Sequence, residues 1–442
     1  MKSYFYKLLH DYLSLFIRPS FSITEISPQH DGLIALFRNY RASVYYPESK
    51  DIRIPESVSR FSSFDDIRDF NPDIILLNGN LHYEPDILSM LRSLHEICRH
   101  KTRLAIIYYS SLWRPLIRMA TALHLRFRTP EQNWLSHEDV DNFLYLAGFE
   151  KVRKEFHVLC PVYIPLVSAA VNRYIAPLPF FRHLTMVNIL VARPLLSNKS
   201  DTMPSMSVIV AARNEAGTIE ELIKRIPRMG PDDELIIVEG HSTDNTWEKV
   251  REMTIKYSSA MNIVSVKQDG KGKGDAVRKG FGLAKKEILA ILDADLSVAP
   301  EDLPEFYRAI VDNKGEFING SRLVYPMDAK AMRFFNMIGN KFFAGAFSFV
   351  TGQRFKDTLC GTKVLTRGNY AKIAAARFYF GDFDPFGDFD LIFGASSLGM
   401  KIVDLPVHYH ERTYGTTNIS RWKHGILLLR MLIFAARKMK FI

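Results

Sequence analysis

Apolar residues follow two rhythms along this chain, short unbroken runs and longer stretches in which they return every third or fourth position. A bounded unbroken run has the pattern of a strand buried on both faces, and the helical return has that of an amphipathic helix. FSITEIS (Phe21 to Ser27), PDIILLNGNL (Pro72 to Leu81) and TRLAIIYYSSL (Thr102 to Leu112) are strands on this reading, followed by KEFHVLC and TMVNILVARP. Helical patterns separate them, among them Ser136 to Phe149, which opens on a serine cap and is closed by Gly148. Strand and helix in alternation predict a parallel sheet. The polar stretch SNKSDTMPSM (Ser197 to Met206) then reads as a linker. Past it the alternation restarts with a strand from Ser207 to Ala211, a polar turn at Arg213, Asn214 and Glu215, and a helix carrying Ile219, Leu222 and Ile226. Strands from Glu234 to Val238, ending in Glu239, and from Ile288 to Leu292 continue it. The expected fold class is α/β with two domains, 1–196 and 207–420, joined by 197–206 and followed by a helix over 421–442.

Candidate chemistry begins at the end of one strand. Asp293 and Asp295 close the run ILDADLS, and side chains two apart on an extended backbone point the same way. Two carboxylates at one point repel unless a cation lies between them or one takes a proton. Hard oxygens suit Mg2+ or Mn2+, although an acidic turn or a helix cap fits the spacing as well. A second candidate is GKGKGDAVRKG (Gly270 to Gly280), where glycines allow close backbone approach and Lys271, Lys273, Arg278 and Lys279 offer charge. A diphosphate suits such a loop, as does plain solvation; the Walker spacing is absent.

Composition narrows the partners. At 442 residues and 47% hydrophobic, the chain is long and apolar enough for more than one core, which excludes a disordered protein. A net charge of +10 favours anionic partners. The basic residues are dispersed and form no nucleic-acid recognition motif, so no nucleic acid is expected. Cys98, Cys160 and Cys360 lie far apart without a CxxC pair, which implies neither a disulfide framework nor a zinc site and fits a reducing, cytoplasmic setting. The first residues, MKSYFYKLLHDYLSLFIRP, are interrupted by charge and lack a cleavage site, so they read as an amphipathic helix of the mature protein.

In the second half, SVIVAARNE, IIVEGHSTDNT, GKGDAVRKG, ILDADLS, NGSR and VDLPVHYHERTYGTT occur in an order that resembles an inverting family 2 glycosyltransferase of the GT-A fold, of the polyprenol-phosphate or dolichol-phosphate sugar transferase kind. The resemblance covers Ser205 to about Trp422. It implies that Ala211, Arg213, Glu215 and Glu239 hold the base and ribose of a UDP- or GDP-linked sugar, with Lys273 and Asp275 beside the nucleotide. It also implies that Asp293, Ala294 and Asp295 form the segment holding a divalent metal, through the two aspartates. Arg322 is expected at an acceptor phosphate, Asp390 and Asp357 as candidate bases, and Arg412, in a segment with Tyr414, Gly415, Thr416 and Thr417, closing over the phosphates. Two departures stand out. Glu239, Gly240 and His241 replace a paired-aspartate motif, and Ser297 stands where relatives carry a glutamine. The implied function is sugar transfer to a lipid-phosphate acceptor. Transfer to a hydroxyl of a surface glycan or glycolipid, and a non-catalytic assembly role, are the alternatives.

The first half resembles the C-terminal part of a class I S-adenosylmethionine-dependent methyltransferase in NPDIILLNGNLHYEPDILSMLRSLHEIC, NWLSHEDVDNFLYLAGFEKV and NRYIAPLP. The glycine-rich cofactor loop is missing: Pro28, Gln29 and His30 occupy its place, and Glu48 is a weak stand-in for the ribose-binding acid. A structural or docking domain without bound S-adenosylmethionine is expected. Two further stretches are apolar and basic. Phe334 to Phe349, with Asn336, Asn340 and Lys341, reads either as core packing or, the expectation here, as a helix at a membrane interface; the tail from Ile426, broken by Arg430 and ending in Arg437, Lys438 and Lys440, reads as a helix on a membrane surface. Neither is long enough to span. The expected location is peripheral, on the cytoplasmic face of the plasma membrane.

Overall fold

The computed structural model describes residues 2–29, 32–37, 40–45, 54–124, 133–196, 203–325, 334–377, 387–411, 414 and 421–441. The chain divides into two compact units, Met1–Leu196 with Ala436–Ile442, and Ser197–Ala435. Each unit is a mixed α/β fold around its own seven-stranded, mostly parallel sheet.

The first unit contains α1 (Lys2–Leu13), β1 (Ser22–Ile26), β2 (Arg41–Tyr45), β3 (Ser59–Phe61), α2 (Phe64–Phe70), β4 (Ile74–Asn78), α3 (Ile87–Ile97), β5 (Arg103–Tyr109), α4 (Arg114–Ala122), α5 (His137–Leu146), β6 (Phe149–His157), the short α6 (Val167–Ala170) and β7 (Val187–Pro194). The strand order is β3-β2-β1-β4-β5-β7-β6, with β7 antiparallel to both neighbours and the rest parallel. β1, β4, β5 and β7 are the buried central strands, β1 with Thr24 and Glu25 fully buried among its apolar residues. Helix α5 begins at a capping box in which Ser136 and Asp139 bond reciprocally. Strand β6 starts earlier than KEFHVLC suggests, because Gly148 turns the chain at φ +79° straight into it.

Strand β6 carries a charged inner face. Arg153, Glu155 and His157 alternate along it and are 1%, 3% and 3% exposed. Arg153 donates to Glu155 at 2.7 Å, Lys440 donates to the other oxygen of Glu155, and Tyr12 stacks on His157 at 3.8 Å. The residues after Ala435 are thus part of the first unit, and Lys440 is buried. Burial opposes the Glu155 charge, yet Lys440 and Arg153 outweigh it and hold the carboxyl at about 2; burial pushes His157 down to about 3. Both groups bind a proton in the unfolded chain before they do in the folded one, so stability falls as pH falls. The window runs from 6.5 to about 3 for His157 and from 4.5 to about 2 for Glu155. The melting temperature of the first unit is expected to drop through this range, and His157→Gln to flatten the part above pH 4.5; an unchanged slope in that variant refutes the assignment.

The second unit contains β8 (Met206–Ala212), α7 (Ile219–Arg225), β9 (Glu234–Glu239), α8 (Thr246–Lys256), β10 (Asn262–Lys267), α9 (Lys273–Leu283), β11 (Ile288–Asp293), α10 (Leu303–Val311), β12 (Phe317–Ser321), α11 (Phe334–Thr351), β13 (Lys363–Thr366), α12 (Arg367–Ala375), α13 (Asp388–Ser397), β14 (Ile402–Pro406) and α14 (Arg421–Met439), whose last turn enters the first unit. The order is β10-β9-β8-β11-β13-β12-β14, with β13 antiparallel to β11 and β12. Helix α11 is partly core: Phe347 is fully buried and meets the rings of Phe389 and Phe393 of α13 at 4.8 and 4.7 Å, while Ile338 and Phe342 are exposed. In α14, Leu428, Met431, Leu432 and Ala435 are buried and Ile426, Leu429 and Ile433 are exposed. Among the described residues, no helix is long and apolar enough to cross a membrane.

Candidate functional site

Parallel pairing brings the expected residues to one level. Asp293 is the register partner of Ala211, Ala212 of Glu239, and Glu239 of Lys267. All lie at the carboxyl ends of β11, β8, β9 and β10, the edge at which open α/β sheets hold ligands. The loops there are built to stay. Asn214, at φ +57°, accepts from Thr243 N and donates its own backbone N–H to Ser242 Oγ; Glu215 is buried with its N–H on Thr246 Oγ1 at 2.9 Å. Glu239 is 2% exposed and accepts from Ser242 N at 2.5 Å. Arg213 is exposed beside them.

The basic loop closes on itself and then on the acid pair. Asp275 accepts from Gly270 N at 2.9 Å, and Gln268 donates to Gly270 O at 2.8 Å, so Asp275 shapes the loop. Lys273, the first residue of α9, donates to Asp293 Oδ1 at 2.6 Å. Burial works against the Asp293 charge, but Lys273 next to it, with Arg322 and Lys363 further off, holds its carboxyl below the usual range. The same pair, with Asp388, pushes Lys273 up despite its burial. Strand β11 ends at Asp293, so Ala294, which is buried in the core, and Asp295 lie in the turn after it rather than on the extended strand that the spacing predicts. Asp295 is half-buried and accepts from Ser297 N at 3.0 Å across Leu296, which adopts φ +58°. A non-glycine residue there marks a strained turn at the site.

Gly361 seals this cluster. A Cβ at that position would collide with Asp293 Oδ2 and Lys273 Nζ. Gly361→Ala is therefore expected to part the pair and lower turnover on the order of 100-fold with a loss of about 1–3 kcal/mol in stability. Steady-state kinetics and urea unfolding of the variant check both; turnover within about threefold of the parent contradicts the packing.

The acceptor-side expectations fall out differently. Arg322 donates to Asp357 through Nε at 2.7 Å and Nη2 at 3.0 Å, and the Arg322 and Leu359 backbone N–H groups add two more bonds. Asp357 is fully buried and, against the effect of burial, held low by Arg322. Its lone pairs are committed. Asp390 accepts from Arg377 Nε at 2.7 Å. Arg412, with Gly415 to Thr417, lies outside the described residues, as do His30 and Glu48. Sequence reasoning passed over Lys363 and Asp404 and gave Asp388 no role. Lys363 is fully buried on β13 and donates to Asn319 Oδ1 at 3.1 Å and Cys360 O at 2.5 Å, with Asp388 at 3.5 Å. Asp404 accepts from Asn319 Nδ2 at 2.7 Å, and burial pushes it up to about 6. Lys363 reads as one letter of a strand, and its signal is a lone charge inside the apolar pattern TKVLT. No pattern singles out Asp404, whereas Asp388 stands two before the expected Asp390.

Among the described residues no set of three His, Cys, Asp or Glu side chains converges as a metal cage. The donors at hand are the oxygens of Asp293, which is held ionised, and of Asp295. They fit a hard cation that completes its shell with water and phosphate.

Residues 207–367 match the family described as Glycosyl transferase family 2. A dolichol-phosphate mannosyltransferase of Pyrococcus furiosus is 28% identical over 40% of this chain and 56% of its own. An undecaprenyl-phosphate 4-deoxy-4-formamido-L-arabinose transferase of Edwardsiella ictaluri is 24% identical over 53% of this chain and 67% of its own. The chain thus spans little more than half the length of the first of these. Glucosyl-3-phosphoglycerate synthase from Mycobacterium tuberculosis aligns at 17% identity over 54% of this chain and 81% of that one, with a TM-score of 0.37, a likeness too distant to bear on the site. What the strand-end acids and the basic loop belong to is a glycosyltransferase domain of family 2, carried in the second unit.

Proposed function

We propose that the second unit moves a sugar, with inversion, from a UDP- or GDP-linked donor to a polyprenyl phosphate or related lipid-linked acceptor. The observation that carries this reading is the ionised Asp293 held 2.6 Å from Lys273 at the carboxyl edge of the sheet, inside the matched family segment. Asp293 and Asp295 would hold a divalent cation, Mg2+ or Mn2+, whose Lewis acidity suits the charge on a departing diphosphate. Lys273 supplies a fixed positive charge beside it. Ala211, Arg213, Glu215 and Glu239 frame the base and ribose, and Asp275 keeps the loop in shape. Arg322, clamped by Asp357, positions rather than reacts.

An acceptor phosphate arrives ionised and needs no base, whereas a hydroxyl does. The saturated lone pairs of Asp357 and the Arg377 partner of Asp390 support the phosphate. Relatives named for dolichol-phosphate and undecaprenyl-phosphate transfer support the same class. Such acceptors reside in membranes, which supports peripheral attachment at the cytoplasmic face. The first unit is proposed as a methyltransferase-like fold without S-adenosylmethionine, supported by the antiparallel β7 beside a parallel sheet and by Ser27, Pro28 and Gln29 after β1. Purified protein incubated with UDP- and GDP-sugars and polyprenyl phosphate is expected to release nucleoside diphosphate only when donor, acceptor and Mg2+ or Mn2+ are all present. Release that ignores the lipid phosphate, or persists in excess chelator, sinks the reading. Calorimetry with S-adenosylmethionine tests the first unit, and a micromolar isotherm overturns it.

A further inference from the structure

The first unit wears an apolar surface where a folded domain ordinarily wears a polar one. Tyr109 at the end of β5, Val187 at the start of β7 and His157 at the end of β6 are register neighbours. Helix α4 and the segment 158–186 therefore leave from the same edge of the sheet. On α4 and the residues flanking it, Leu112, Leu116, Met119 and Leu123 recur at spacings of four, three and four and are 49 to 60% exposed, while Ile117 faces inward. In the segment, Val162, Tyr163, Ile164, Pro165, Leu166 and Val167 are all exposed, Leu166 at 88% and at φ +62°. Tyr174 and Phe180 follow at 55% and 75%.

This apolar surface is held rigid from within. Asn172, 2% exposed, accepts from Leu159 N and Cys160 N at 2.9 and 2.8 Å and donates to Cys160 O and Tyr4 Oη. Ser168 bonds both the N–H and the C=O of Ile164. Trp113 donates to Leu184 O at 2.7 Å, tying the start of α4 to the end of the segment. Polar atoms are thus satisfied inside while leucines, isoleucines and aromatics point out, the inverse of a solvated loop.

Charge selects the occupant. No Asp or Glu occurs from Ile97 to Pro130 or from Phe156 to Ser200, and Arg114, Arg118, Arg173 and Arg182 lie among the exposed apolar side chains. Arginines keep their heads in the headgroup layer while apolar neighbours enter the acyl boundary. We propose that this face of the first unit, built from α4 and residues 158–186, docks the protein on an anionic phospholipid bilayer. The assignment deepens the peripheral attachment proposed above and rests on it; it does not depend on sugar transfer.

The test uses the full chain and vesicles of phosphatidylcholine with or without 30% phosphatidylglycerol, about that fraction being enough to impose a negative surface. The protein is expected to co-sediment with the anionic vesicles and to be released by salt. Leu116→Asp/Leu166→Asp/Phe180→Asp is expected to weaken partition at least about tenfold, and each neutralised arginine on the order of fivefold, with circular dichroism and melting unchanged because all three apolar sites are exposed. A parallel Ile426→Asp/Leu429→Asp/Ile433→Asp variant separates the α14 surface. If only that second variant detaches, this assignment fails and peripheral attachment stands. If the parent binds neither vesicle, both fail. If the parent is a dimer that the first variant splits while vesicle binding persists, a second copy is the occupant and the proposal is overturned.

Discussion

Asp293→Asn is expected to lower kcat/KM for the proposed sugar transfer by on the order of 10²–10³-fold, the scale seen when one preorganised electrostatic group is removed from a reaction centre. The substitution keeps the shape and deletes the charge. Lys273 then loses the counter-charge 2.6 Å away, and the donor set for a hard cation falls from two carboxylates to one. The effect is expected mainly in kcat, since charge on the leaving group develops in the transition state. The parent should lose activity in excess chelator and regain it with Mg2+ or Mn2+, while the variant should regain little. Turnover above about a tenth of the parent in Asp293→Asn would remove Asp293 from the centre of the site.

Arg322→Met is the second large effect, and it is one of stability. Removing the guanidinium leaves Asp357 at 0% exposure with two backbone N–H groups and no cation, a state that costs about 3–5 kcal/mol for a buried pair. The carboxyl would escape by taking a proton, so the loss should be greatest at high pH. In the parent, the depressed Asp357 carboxyl contributes stability above its unfolded value of 3.8 that is lost as pH falls below it. Arg322→Met/Asp357→Asn should recover part of the loss, because the buried charge is gone and the single amide oxygen still accepts from one of the two backbone donors. Urea unfolding of the two single variants and the double one measures the cycle. A cost under about 1 kcal/mol for Arg322→Met would show that the pair is not sealed from water.

Much of this molecule can be read from local pattern. β4, β5, β7, β8, β9 and β11 are predominantly apolar runs, and the acid pair and the basic loop sit at strand and helix ends, where local chemistry is written in consecutive letters. What escapes is whatever depends on distant partners. Arg322 and Asp357 are 35 residues apart and pair only because β12 and the turn before β13 meet. Asp357 therefore reads as a free base in sequence and as a clamped counter-ion in the fold. Arg153, Glu155 and His157 have the alternation of a solvated strand face, yet α1 and Lys440 cover it. The short strands Arg41–Tyr45 and Ser59–Phe61 form the edge of the first sheet, where mixed polarity hides them from an apolar-run criterion.

Lys440 imposes an order on synthesis. When a ribosome has completed residue 196, the strands of the first sheet exist, but the cation that closes on Glu155 is still more than half a chain away. Until it arrives, Arg153 alone answers Glu155 in a site that water is leaving. The strands of the first unit are made before those of the second, yet its Glu155 site waits for a residue that follows the second unit, so a nascent chain stalled within the second unit carries a first unit whose charged seam is not yet closed.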